Sequence, residues 1–358
     1  MSVMSTIRIL PDLLSWGRAA DSLVVELVNA RLVWMGRALA QQAPELFDTW
    51  SRFSDEAIER VLRAPVTCQA VRVGLDHIQF GSRLAAEHTL DSGSCAAVEA
   101  WSMLGNVWVG AATAHSDVPL VPLDCGHGYQ GPALSCKIPV DFSVSETPEY
   151  PSGGLTNPGL YDRQAVHEVL RKLDDAMAML HAGVPSAYSA VLAFTSNLVL
   201  RIDRNRPDEL RSASSAATLG RTVLINAHFP QATCTALGEA LVHEAVHVAV
   251  SILELSVPLV RQAAAIRSVV LRSPWTGDSL PLHAFLHACL VWFALARYWE
   301  SVQRLRAPSS TDEARLAGIR EGFCALSPEA DLGPYRESMR SGVIPLVIEL
   351  KERVLCKM

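Results

Sequence analysis

The run His243-Glu244-Ala245-Val246-His247 sets two imidazoles four residues apart around a carboxylate, inside an apolar stretch. On a helix, residues four apart lie one above the other on the same face, so both rings can reach one cation. The intervening glutamate is turned about 100° away, where it can hydrogen-bond a metal-bound water or carry a proton. The flanks, Ala236 to Val242 and Val248 to Val250, are apolar enough to bury both rings, and a buried polar ring needs a partner. The chemistry this spacing serves is metal binding.

Two histidines do not complete a catalytic centre. Catalytic zinc takes three protein ligands and keeps a position open, and non-haem iron(II) also takes a facial set of three. A metzincin continuation needs glycine and histidine where this chain has Val250 and Leu253, which excludes that family. A gluzincin would draw a glutamate from a following helix, yet no Glu occurs between Leu255 and Tyr298. Glu254 lies seven residues past His247 on the same helical stretch, too far along the axis to join that pair. His283 and His287, again four apart, are the alternative source, and spacing alone does not choose between them. Neutral imidazoles suit zinc, iron, copper and nickel alike.

The elements that must position these groups are mostly helical. Helical patterning covers Ile7 to Gln42, Ser54 to Leu62, Arg83 to Ala112, Arg163 to Ala182, Thr235 to Leu255, Pro258 to Leu271, Leu282 to Leu305 and Val343 to Val354, with a further start at Ser327-Pro328. Pro119 to Val140 reads as strands and turns. Val191 to Ile202 and Arg221 to Ala227 read as two strands flanking a polar loop, Asp203 to Gly220. Phe142 to Asp162, rich in Pro and Gly, is the linker candidate. The expected fold is therefore mainly α with a small β-sheet (α+β). A helical N-terminal region, 1–150, precedes a catalytic metal-binding domain, 151–358, whose metal helix packs against a second histidine-bearing helix.

Bulk properties narrow the partners. The 358 residues are 49% hydrophobic and 19% charged, with net charge -6 and no basic run. The pI is near 6.0 and the mean hydropathy +0.20. No nucleic-acid partner held through phosphates is therefore expected. The richest apolar run, Leu280 to Trp299, is interrupted by His283, His287 and Arg297, so no membrane partner is expected. The eight cysteines have no C-x-x-C pair, which fits reduced thiols in a cytoplasmic protein. Cys125, His127 and Cys136 lack a fourth ligand for structural zinc.

The run Leu237 to His247, followed by Ser273-Pro274-Trp275 and then Leu286-His287, resembles the HExxH-domain proteins associated with biosynthesis of ribosomally made, modified peptides. Members of that family are regarded as iron(II)- and 2-oxoglutarate-dependent peptide β-hydroxylases. The likeness takes in the serine-bearing segment Ser212 to Gly220 and the strand Val223-Leu224-Ile225, and spans roughly Val191 to Trp299. It implies metal ligation by His243, His247 and His287. It implies a supporting role behind the ligands for His283 and Asp278, and a catalytic or orienting role for Glu244. The chain departs from the family at Thr276 and Leu280, where arginines commonly stand. An oxoacid carboxylate wants an arginine fork, so Arg221, Arg272 or Arg297, helped by Ser214 or Ser215, is expected to supply it. The expected cofactors are Fe(II) and 2-oxoglutarate, and the expected partner is a peptide substrate, with a homodimer as an admissible assembly. The alternatives are a zinc-dependent hydrolase or peptidase using Glu244 as general base, and a degenerate peptide-binding relative.

Overall fold

The computed structural model describes residues 7–17, 19–42, 59, 62–63, 121–122, 130–135, 137–142, 158–159, 161–261 and 268–356. The helix expected over Arg83 to Ala112, most of the proposed linker, and the Cys125/His127/Cys136 trio lie outside the described residues. The fold is mainly α with a small β-sheet, as expected. The described chain forms two compact units. The first comprises residues 1–27, 179–190 and 249–358, and the second 28–178 and 191–248.

The second unit holds the sheet. Its strands are β1 (Val121–Pro122), β2 (Gln130–Gly131), β3 (Ala133–Leu134), β4 (Ile138–Asp141), β5 (Pro158–Gly159), β6 (Asn197–Asp203), β7 (Arg211–Ser214) and β8 (Arg221–Ile225). β1 and β2 pair apart from the rest, while the main order is β3-β4-β6-β8-β7, with β5 against the end of β6. The β4–β6 and β6–β8 pairs are parallel, and β7 returns antiparallel on β8. β6 is buried along its whole length, as a strand flanked on both edges must be. Val199, Val223 and Ile225 form one apolar cluster on it and its neighbour.

The apolar run from Val191 does not begin as strand. The helix Pro185–Phe194 occupies its start, with Pro185 opening it, and the strand begins at Asn197. The polar segment Asp203 to Gly220 is not all loop, because it supplies edge strand β7, whose serines need no buried face. The helix expected over Pro258 to Leu271 occupies neither end of that span: Pro258 to Arg261 are extended or bent, with Val260 bridged to Met339, and Val270–Arg272 is a strand paired with Ser279–Pro281 as a hairpin. Exposed Val270 and Arg272 flank a half-buried Leu271 there, which is strand alternation.

The first unit is helical. Its principal elements are α1 (Leu10–Leu14), the hairpin β9–β10 (Val270–Arg272 and Ser279–Pro281), α6 (Leu282–Leu305), α7 (Ser310–Ala325), α8 (Pro328–Leu332) and α9 (Val343–Leu355). α2 (Ala20–Gln42), α3 (Arg163–Gly183), α4 (Pro185–Phe194) and α5 (Cys234–Glu254) each have part of their length in either unit. α6 is buried over most of its length and packs with α7, α9 and α1. The unanticipated α7 starts at a reciprocal cap: the Ser309 hydroxyl accepts from the Asp312 N–H and the Asp312 carboxylate from the Ser309 N–H. α5 is the one helix among the described residues long and apolar enough to cross a membrane, and 72% of its apolar window is buried inside the protein.

Candidate metal centres on helices α5 and α6

The sequence folds α5 from a definite start. Lys172 donates to the carbonyls of His228 and Phe229, which pins the segment leading into the helix. The Thr233 hydroxyl then accepts the Ala236 N–H as an N-cap. From there His243 and His247 project together as their spacing requires, with Nε2 atoms 3.2 Å apart and ring centroids 4.9 Å apart. Ligand atoms about 2.1 Å from one ion stand roughly 3.0–3.4 Å apart at octahedral or tetrahedral angles, so this pair has the bite of two metal ligands.

Glu244 is buried, with 1% exposure. The Ser212 hydroxyl, on β7, donates to its Oε1 at 2.6 Å, and the same oxygen lies 3.8 Å from His243 Nε2. Oε2 is buried and has no hydrogen-bond partner among the described residues. An anionic oxygen left in that state costs several kcal/mol unless a proton or cation satisfies it.

What holds Ser212 there is Asn226. This residue is fully buried, lies in the left-handed region (φ 63°), and follows the last residue of β8. Its side-chain amide donates to the carbonyls of Asp203, Arg206 and Glu209, and its side-chain oxygen accepts the Asp203 N–H at 2.8 Å. The turn between β6 and β7 is thus tied to the end of β8. A 2.6 Å ion pair from Arg211 to Asp203 adds to this. β7 is thereby returned beside β8, with Ser214 opposite Thr222 and Ser212 opposite Leu224.

In the other unit, Glu254 ends α5, and its carboxylate gathers the second histidine pair. Oε1 accepts the Leu259 N–H at 3.2 Å, while Oε2 receives His283 Nε2 at 2.7 Å and His287 Nε2 at 2.8 Å. The two rings stand 4.3 Å apart by centroid. Each of the three residues offers a ligand atom, all within 4.8 Å of one another, and the group can hold a metal ion. Burial pushes the Glu254 carboxyl up, but the hydrogen bonds from His283 and His287 outweigh it and hold it down at about 2. Burial pushes the His287 imidazole below its ordinary value, against a partial pull upward from Glu254. At neutral pH the group therefore presents an ionised carboxylate and a neutral His287, which is the protonation state for ligation.

The Ser273-Pro274-Trp275 turn explains how α6 presents its histidines. Gly277, at φ 76°, closes the turn with a bond to the Ser273 carbonyl, and the Ser273 N–H bonds the Asp278 carbonyl. Trp275 stacks on Trp292 of α6, meets Phe323 edge-on and donates its indole N–H to the Ile319 carbonyl of α7. The hairpin so anchored feeds directly into α6, where the Leu282 N–H bonds the Val269 carbonyl immediately before His283.

Asp278 sits exposed in the turn, its backbone N–H on the Thr276 hydroxyl. Arg297 is buried in an ion pair with Glu300 at 2.8 Å and also donates to the Arg353 carbonyl. Arg272 is exposed on β9. Arg221, Ser214 and Ser215 belong to the same unit as His243 and His247, whereas Arg272 and Arg297 belong to the other. Sequence reasoning set Glu254 aside and gave Ser212 and Asn226 no role. The signal for Glu254 was present in its position two turns past His247 on one face. No local signal marks the other two, because their partners lie on other strands. No protein-family model matches the chain, and no curated protein matches it.

Proposed function

We propose that the protein is a metal-dependent enzyme, an iron(II)- and 2-oxoglutarate-dependent oxygenase that hydroxylates a β-carbon of a peptide. The observation that carries this reading is the His243/His247 pair, with ring nitrogens at ligand separation beside a buried Glu244 that has one oxygen unpartnered. The residues fit a divalent ion. Two neutral imidazoles supply lone pairs, and the Glu244 charge offsets part of the ion's own. Iron there would supply the oxygen activation that hydroxylation of an unactivated carbon requires. His243 and His247 would supply two of the ion's ligands, and Glu244, fixed by Ser212, would orient water or a ligand ring beside it. Arg221 is the one expected arginine in this unit, and its guanidinium is the fork proposed for the oxoacid carboxylate. The peptide substrate and the position of attack come from the sequence resemblance.

A zinc hydrolase is the second reading, favoured by the unpartnered Glu244 oxygen. A buried carboxylate with a free lone pair beside a histidine is placed to take a proton from water. The experiment is metal analysis of protein purified without oxygen, together with oxygen-dependent turnover of 2-oxoglutarate. Bound iron and decarboxylation that both vanish in His243→Ala and His247→Ala are expected. Amide cleavage by zinc-loaded protein in the absence of oxygen, falling by roughly 100-fold or more in Glu244→Gln, transfers the assignment to the hydrolase.

A further inference from the structure

We infer that Glu254, His283 and His287, all within the first unit, form a divalent-metal site that takes zinc(II) or iron(II). Two imidazole nitrogens and one carboxylate oxygen are a donor set these ions accept, and three protein ligands leave positions open. Both Nε2 atoms close on the same oxygen, Oε2, at 2.7 and 2.8 Å, and all three donors lie within 4.8 Å of one another, so small side-chain shifts would seat them around one ion. Glu254 is not free to swing away, because its other oxygen is held by the Leu259 N–H.

The side chains are graded in exposure: 6% for His287, 12% for Glu254 and 33% for His283. The group is walled on one side and reachable on the other, so an ion can enter and water can complete its shell. Without an ion, each imidazole carries its proton on Nε2 and donates it to the carboxylate. On binding, each ring moves that proton to Nδ1 and gives its Nε2 lone pair to the metal, so neither ring changes charge. A carboxylate oxygen accepts two N–H donors, so the two hydrogen bonds alone do not set the trio apart; what does is that three ligand-type atoms lie within 4.8 Å of one another with one side open.

The site is tested on the full chain, stripped with EDTA and titrated with zinc(II) against a chromogenic chelator, with bound zinc counted after desalting. The variants are Glu254→Gln, His283→Gln and the double change His243→Ala/His247→Ala. Two ions are expected in the parent protein. One weakens in Glu254→Gln and in His283→Gln by more than the roughly 10–100-fold that losing an outer-shell partner costs. The double variant keeps this ion and loses the other. His283→Gln alters a side chain one-third exposed, so it carries the test if Glu254→Gln fails to fold by circular dichroism.

Wild-type zinc binding in His283→Gln overturns the inference. A single ion lost from both His283→Gln and the double variant also overturns it, because the two pairs would then serve one centre. Both ions retained by the double variant leave this site standing and remove the reading given to His243 and His247.

Discussion

Removing the Ser212 hydroxyl tests whether Glu244 is an ionised carboxylate held in the protein interior. Ser212→Ala leaves Glu244, 1% exposed, with neither oxygen hydrogen-bonded, since Oε2 already lacks a partner. A hydrogen bond to a charged group contributes about 1.5–3 kcal/mol, and the 2.6 Å separation marks a charge-assisted one. The expected loss in metal-free protein is therefore about 2–3 kcal/mol. Glu244→Gln keeps an oxygen to accept from Ser212 and removes the buried charge, so it should stabilise metal-free protein by about 1 kcal/mol or more. In that background Ser212→Ala should cost only about 1 kcal/mol, the worth of a neutral bond. The double-mutant cycle then shows a coupling of about 1–2 kcal/mol. Urea unfolding followed by far-UV circular dichroism, in EDTA throughout, measures all four proteins. Additivity within about 0.5 kcal/mol, or destabilisation by Glu244→Gln, refutes an ionised, ion-seeking Glu244.

Three further outcomes follow from the same geometry. Stability of metal-free protein should fall with acid. The lowered His287 value means stability present above about 6.5 is lost as the pH drops below it, and the Glu254 contribution, complete above 4.5, is lost towards about 2. Melting temperatures across that range check this, and Glu254→Gln should flatten the lower part; a flat parent profile contradicts the cluster. Gly322→Ala would set a Cβ 2.1 Å from the Trp275 ring, so the indole must leave its seat on Ile319 and Trp292. Overpacking of about 1–3 kcal/mol exceeds the gain of up to about 1 kcal/mol in helix propensity, and thermal unfolding should show net destabilisation. Asn226→Ala strips partners from three carbonyls and one N–H, and should cost about 3 kcal/mol or more. It should also weaken metal binding at His243/His247 by loosening Ser212, as isothermal titration would show.

Local periodicity determined what could be read directly from this chain. Four-residue spacing put His243 beside His247 and His283 beside His287. Apolar patterning located α5, α6 and α9, and β-branched residues located β8. α7 went unread, although its reciprocal cap at Ser309 and Asp312 is a local signal of the same kind. What the sequence could not determine depends on neighbours distant along the chain. Edge strand β7 has a polar composition that reads as loop, and only pairing with β8 makes it a strand. Glu254 looked too far along α5 to matter, because helical rise separates it from His247. Its partners arrive 29 and 33 residues later, carried by a hairpin that Trp275 locks to α6 and α7. Ser212 meets Glu244 across 32 residues because Asn226 ties the intervening turn to the end of β8. Spacing along one element is set by backbone geometry and is visible in the sequence. Convergence of side chains from different elements is set by packing and hydrogen bonding, and only the tertiary structure decides it.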